Sequence, residues 1–344
     1  QVEPYVAGEQ PKINNMIKLN TNENPYGPCK QIKDILKEID IEKLKLYPNS
    51  DGEELRHALA KYHGLKDEQV FLGNGSDEVL ALTFLTFFNG SDPVLFPNIS
   101  YSFYPVYCDL YQMNYKEIIL DQNFKMYVED FKQPNSGIIF PNPNAPTGLL
   151  VSLDFIEEVL KSNPDSIVVV DEAYIELSSN PDVKSMVSEI SDDTNVVVAR
   201  TFSKLYGLAG VRLGYAMCNK EMHAILQKCT SVFTGSRVAL AGAMAALDDE
   251  EYIKKTKAAM LEGRKYLTDE FTKMGFYVYP SETNFLYVNT GYNAAEFAEE
   301  CKKYGLIIRG NFDYSRITVG RMDQNEKMVG IIKKIIESGE LKKI

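Results

Sequence analysis

Ser166-Ile167-Val168-Val169-Val170-Asp171-Glu172-Ala173-Tyr174 is the stretch from which the fold is read. A run of Ile and Val without polar alternation does not suit a half-buried strand. It predicts a strand covered on both faces, which in turn means a mostly parallel sheet between layers of helices. Outward from it, similar runs recur at Val70 to Leu72, Val94 to Phe96, Ile118 to Leu120, Ile138 to Phe140, Val196 to Ala199 and Arg212 to Met217. Helical stretches separate them; in Gly52 to Gly64, for example, Leu55, Ala58, Leu59 and Tyr62 recur at helical spacing and a glycine closes the run. The expected fold class is α/β, a mostly parallel sheet covered by helices over residues 41–245. Past Asp248 the chain changes to longer charged helices (Glu250 to Met274, Ala294 to Tyr304) and a few strands (Asn284 to Val288, Arg316 to Val319). That pattern predicts a smaller α+β domain over 246–344, joined by residues 1–40 as an N-terminal arm with a helix, Gln31 to Ile39, returning to it.

Composition excludes several classes of function. The 344 residues carry 37 Lys and Arg against 48 Asp and Glu, a net charge of −11 without any basic cluster, which disfavours nucleic-acid and anionic-membrane partners. The longest apolar stretch, Val79 to Phe88, is too short to span a bilayer. Gln1 to Pro11 has neither a basic nor an apolar region, so no signal peptide is expected there. Five widely spaced cysteines without a C-x-x-C pair suit reduced core thiols in a cytoplasmic protein. His57, His63 and His223 have no second ligand at metal spacing, so they are expected to be half-exposed helix residues, and no metal site is expected.

Open α/β sheets bind ligands at the carboxyl ends of their strands. One such end reads Arg200-Thr201-Phe202-Ser203-Lys204, with Gly207, Gly210, Arg212 and Gly214 following. Hydroxyls and a guanidinium suit a phosphate dianion, and a lysine among them can act as an amine nucleophile. Together they suggest a phosphorylated aldehyde cofactor. Pyridoxal phosphate also needs a carboxylate at its pyridine nitrogen. Asp171, at the end of its apolar strand, fits, and Tyr174 three residues on can reach the phenolic oxygen. Gly73-Asn74-Gly75-Ser76-Asp77-Glu78 enters an apolar helix and offers amides plus the Ser76 hydroxyl to an anion. A dinucleotide fingerprint would need a third glycine where Glu78 stands.

The motifs Asn144-Ala145-Pro146-Thr147-Gly148, Asp171-Glu172-Ala173-Tyr174 and Thr201-Phe202-Ser203-Lys204 running on to Arg212, in this order, resemble the fold type I pyridoxal-phosphate aminotransferases. Leu19 to Gly27, Tyr47-Pro48 and Arg316-Ile317-Thr318-Val319-Gly320 make the chain similar in particular to the histidinol-phosphate aminotransferases. The resemblance implies that Lys204 forms a Schiff base with pyridoxal 5'-phosphate, that Asp171 pairs with the pyridine nitrogen, and that Tyr174 and Asn144 hold the phenolic oxygen. It assigns the phosphate cup to Gly75, Ser76, Asp77, Thr201, Ser203 and Arg212, completed by Tyr47 of a neighbouring subunit, hence a homodimer. Tyr101 is expected to stack on the ring, with Tyr104 as the competing choice. Tyr5, Asn22, Arg309 and Arg316 are expected to bind substrate, a surface salt bridge being the competing role for Arg309. The family carries Asn immediately before Pro-Thr-Gly, whereas this chain has Ala145; either Asn144 reaches over or that bond is weakened. The implied reaction is transamination of histidinol phosphate with 2-oxoglutarate. Aromatic aminotransferases and threonine-phosphate decarboxylases use the same motifs and are the alternatives.

Overall fold

Val168, Val169 and Val170 lie in the middle of a seven-stranded sheet, and none of the three is exposed. The computed structural model describes residues 2–11 and 16–344. Its strands are β1 (Ile17–Lys18), β2 (Val70–Gly73), β3 (Val94–Pro97), β4 (Tyr115–Ile118), β5 (Gly137–Pro141), β6 (Val168–Asp171), β7 (Val196–Thr201), β8 (Gly214–Met217), β9 (Tyr277–Val278), β10 (Phe285–Asn289), β11 (Leu306–Ile307) and β12 (Ser315–Thr318). The large sheet has the order β2-β8-β7-β6-β5-β3-β4; β8 runs antiparallel to both neighbours and every other pairing is parallel.

Alternation along each strand divides its side chains between two cores. Ile138, Phe140, Val168, Val170, Val196 and Val198 pack with the helices Glu53–His63 and Leu153–Ser162. Ile139, Val169 and Val197 pack with Gly75–Phe87 and Lys220–Cys229. Helices on both faces are what permit continuous Val and Ile runs, and each such side chain contributes roughly 1.5–3 kcal/mol by burial.

Two strand expectations shift. Of the run at Ile118 to Leu120 only Ile118 lies in a strand, as the last residue of β4, whose first three residues are exposed at the edge of the sheet. The run expected from Arg212 becomes regular only at Gly214, since Arg212 takes a left-handed conformation (φ 56°).

The remaining strands belong to smaller sheets: β12-β10-β9 is antiparallel, and β1 pairs in parallel with β11. Leu19, Leu286 and Ile317 build a third core there with the helices Ala294–Lys303 and Met322–Ser338. The helix Glu250–Lys273 joins two cores, placing Met260 beneath the large sheet and Leu267 and Phe271 in the third core. The first helix, Lys30–Glu38, does not return to the smaller sheets as expected. Ile32 and the preceding Cys29 enter the core of the large sheet, where Ala243 and Ala246 of the helix Arg237–Asp248 are small enough to admit it.

His57 is exposed and His63 half-buried, but His223 is buried, contrary to expectation, where its helix packs on the sheet. Burial drives the His63 ring down to about 3, with the charge of Arg200 adding to the effect. Four cysteines are buried and Cys229 is exposed. Among the described residues no helix is long and apolar enough to cross a membrane.

Candidate active site

The chain leaves β3 outward to β4, returns to β5 and continues to β6 and β7 on the other side. The crevice beyond β3 and β5 is therefore a topological switch point, the usual ligand site of an open α/β sheet. A pocket of about 270 Å³, sized for a small molecule, opens there. Pro141, Asp171 and Thr201 line it at the ends of β5, β6 and β7, together with Ser203, Lys204, Tyr174 and Arg212. Strand alternation explains why Thr201 faces it and Arg200 does not. Arg200 is buried on the other side, paired with Glu172 at 3.0 Å and Glu176 at 3.4 Å.

Asp171 is buried, and its carboxylate accepts from the Ala173 amide and the Tyr104 hydroxyl, each at 3.2 Å. Burial pushes its carboxyl up to about 6, with those two donors acting in the opposite direction. Tyr104 thus lies beneath the pocket as a support for Asp171, while Tyr101 lines it. The Tyr101 hydroxyl donates to Asp77 at 2.8 Å, and Arg212 donates to the other oxygen of Asp77 at 2.9 Å.

The helix Gly75–Phe87 starts without a side-chain cap, leaving its first amides free to face an anion. Glu78, where a dinucleotide fingerprint would have glycine, bends back to accept the Asn74 amide at 2.6 Å. Gly75 does not line the pocket but lies under Arg212: at φ 80°, a Cβ there would sit 2.6 Å from Nη2.

Lys204 stands with its Nζ 5.4 Å from the centre of the Tyr174 ring. The Tyr174 hydroxyl accepts from the Asn22 side chain at 3.0 Å. Asn144 stays out of the pocket; its amide donates to Ile99 O and Thr147 Oγ1, both at 2.9 Å, and Ala145 and Pro146 line the wall instead. Of the two outcomes expected for Ala145, Asn144 reaching over is therefore not the one adopted.

Arg309 and Arg316 both line the pocket and are backbone partners across an isolated bridge. Arg316 donates to Asn20 O at 2.9 Å and lies between Phe285 and Phe312, 5.6 and 5.4 Å from their centres. Burial pulls its pKa down. Arg309 is buried and donates to Val6 O, so the surface salt bridge is excluded by its position. The Nε of each arginine has no partner. Tyr5 and Asn22 complete the wall. Tyr47 is elsewhere, 76% exposed and stacked on Phe233 at 4.5 Å.

Sequence reasoning missed Thr318, which bonds Asn22. The available signal was its place two residues after Arg316 in β12, hence on the same face.

A switch-point pocket joining a lysine, a buried carboxylate and an arginine beside an uncapped helix start suits a group-transfer enzyme. The chain belongs to the aminotransferase class I and II family, whose model matches residues 14–332. Within it, the chain is 42% identical over 335 residues to histidinol-phosphate aminotransferase 1 of Pseudomonas aeruginosa, covering 95% of this chain and 94% of that one. The fold matches the histidinol-phosphate aminotransferase of Clostridium acetobutylicum with a TM-score of 0.87 at 25% identity, over 94% of this chain and all of that one. It also matches that of Sinorhizobium meliloti in complex with pyridoxal-5'-phosphate, with a TM-score of 0.85 at 22% identity, over 94% and 91% of the two chains.

Proposed function

We propose that this protein uses pyridoxal 5'-phosphate to move the amino group of histidinol phosphate to 2-oxoglutarate. The observation that carries the proposal is the convergence of Lys204 and Asp171 on one pocket that also receives Arg212, Arg309 and Arg316. The residues fit the cofactor. Gly214 leaves a cradle in which a Cβ would lie 2.4 Å from the Ser76 amide, so β8 closes directly on the helix start. Bound there, the cofactor supplies an aldehyde that condenses with amines and a ring that draws electrons from the substrate α-carbon.

Lys204 would hold the cofactor covalently and, once displaced, move the proton at the substrate α-carbon. Asp171 would keep a proton on the ring nitrogen. Tyr174 would donate to the phenolic oxygen without help from Asn144, which is engaged elsewhere. Ser76, Asp77, Thr201, Ser203 and Arg212 would make the phosphate cup, with Gly75 beneath Arg212 leaving room for its guanidinium, and Tyr101 would cover the ring. Arg309 and Arg316, with Tyr5 and Asn22, receive the substrate phosphate in one half of the exchange and the acceptor carboxylates in the other.

The same proposal takes residues 41–245 as the cofactor-binding domain and the arm plus 246–344 as the smaller one, with the helix Lys30–Glu38 packed on the former. It makes the protein a cytoplasmic homodimer in which Tyr47 enters the opposite pocket. Supporting this, Ile41, Leu44, Leu46, Tyr47 and Val232 are all more than half exposed. The test is a half-reaction: cofactor-loaded protein is mixed separately with histidinol phosphate, phenylalanine, tyrosine and threonine phosphate, and the loss of the lysine-bound absorbance is followed. Histidinol phosphate should act far ahead of the others; preference for an aromatic amino acid, or carbon dioxide release from threonine phosphate, overturns the substrate.

A further inference from the structure

Tyr174 has one proton to give, and where it goes depends on Asn22. The Asn22 backbone amide donates to Thr318 Oγ1 at 3.0 Å, and Thr318 Oγ1 donates to Asn22 Oδ1, also at 3.0 Å. The opposite amide orientation would leave the hydroxyl proton of Thr318, a buried residue, with no acceptor, at a cost that buried polar groups rarely bear. Oδ1 thus faces Thr318, and Nδ2 faces Tyr174, donating at 3.0 Å. Asn284 fixes the backbone of the same residue by donating to Asn22 O at 2.9 Å, and Asn22 itself holds a left-handed conformation (φ 56°), which asparagine tolerates better than most residues. Tyr174 Oη, already an acceptor from Asn22, is left to point its proton into the pocket. No side chain at position 145 or 144 offers a second donor there, since Ala145 is apolar and Asn144 is engaged with Ile99 and Thr147.

We propose that Asn22 and Thr318 are positioning residues that orient the Tyr174 hydroxyl as a donor to the phenolic oxygen of the cofactor, compensating for Ala145. The inference rests on the pyridoxal-phosphate reading above. It also moves Asn22 from contacting the substrate to acting through Tyr174, and it ties the site to β12 in the smaller sheet. The charged groups facing Tyr174 are Lys204 and Arg316.

The experiment is a pH titration of the visible band of the cofactor-loaded protein, with the cofactor dissociation constant measured in parallel. Asn22→Asp keeps the shape but presents a carboxylate oxygen that accepts the Tyr174 proton. Thr318→Val removes the hydroxyl, and Thr318→Ser keeps it. Loss of a donor to a phenolate raises its pKa, so Asn22→Asp should raise the midpoint by about one pH unit and weaken cofactor binding about tenfold. Thr318→Val should move both in the same direction and Thr318→Ser should restore them. In a Tyr174→Phe background Thr318→Val should add nothing. Midpoints unchanged in Asn22→Asp and Thr318→Val, or a Thr318→Val shift that persists without the Tyr174 hydroxyl, overturn the inference alone. A wild-type protein that takes up no pyridoxal phosphate overturns the underlying reading and this one with it.

Discussion

Asp171 is held where a carboxylate is least at ease. Its folded pKa of about 6 lies above the ordinary 3.8. The folded state therefore binds a proton more tightly than the unfolded chain, and stability is lost as pH rises through the window between those values. In cofactor-free protein, Asp171→Asn should melt like the wild type near pH 3.5. Above pH 6.5 it should be more stable by about 3 kcal/mol, whereas the cofactor-loaded variant should lose turnover. Thermal melting across that range checks it, and a difference independent of pH would refute the assignment. Lys204, Asp171 and Arg212 were legible in the sequence because each follows or flanks a strand, where an unusual polar residue stands out against Val and Ile. The support of Asp171 by Tyr104 and the tie of Asn22 to Thr318 were not. They join residues 67 and 296 positions apart, and no local pattern reports such a pairing.

At the scale of elements, the proposed anion cup depends on how closely β8 approaches the start of the helix Gly75–Phe87. A Cβ at Gly214 would meet the Ser76 amide at 2.4 Å and the Gly75 carbonyl carbon at 2.6 Å, both backbone atoms that cannot turn aside. Gly214→Ala should therefore cost about 1–3 kcal/mol of stability and weaken cofactor binding at least about tenfold. Gly210→Ala meets nothing within 4 Å and should stay within about 0.5 kcal/mol of the wild type. Calorimetry of the two variants side by side tests the contrast. The buried strands were readable because burial on both faces leaves a two-sided apolar run. The edge strand β4 was misplaced because Tyr115, Lys116 and Glu117 carry no such mark. The helix Lys30–Glu38 was read for its pattern, but its partner, an alanine-rich helix two hundred residues away, could not be read from that pattern.

At the scale of the molecule, Tyr47 distinguishes a subunit working alone from a pair. In the proposed dimer, a protomer carrying Lys204→Ala still lends its Tyr47 to its partner. A protomer carrying Tyr47→Ala keeps its own Lys204. Mixing the two inactive variants after dissociation should restore one working site in each mixed dimer, measured as recovered turnover; no recovery would mean Tyr47 does not act across an interface.

The helix Glu250–Lys273 has a consequence of another kind. At 24 residues it is about 36 Å long, and it is anchored in the large-sheet core at Met260 and in the third core at Leu267 and Phe271. Because one continuous helix packs into both cores, this strut is expected to couple their unfolding. A single calorimetric peak is expected, and Phe271→Ala, made far from the pocket, should lower its midpoint without splitting it.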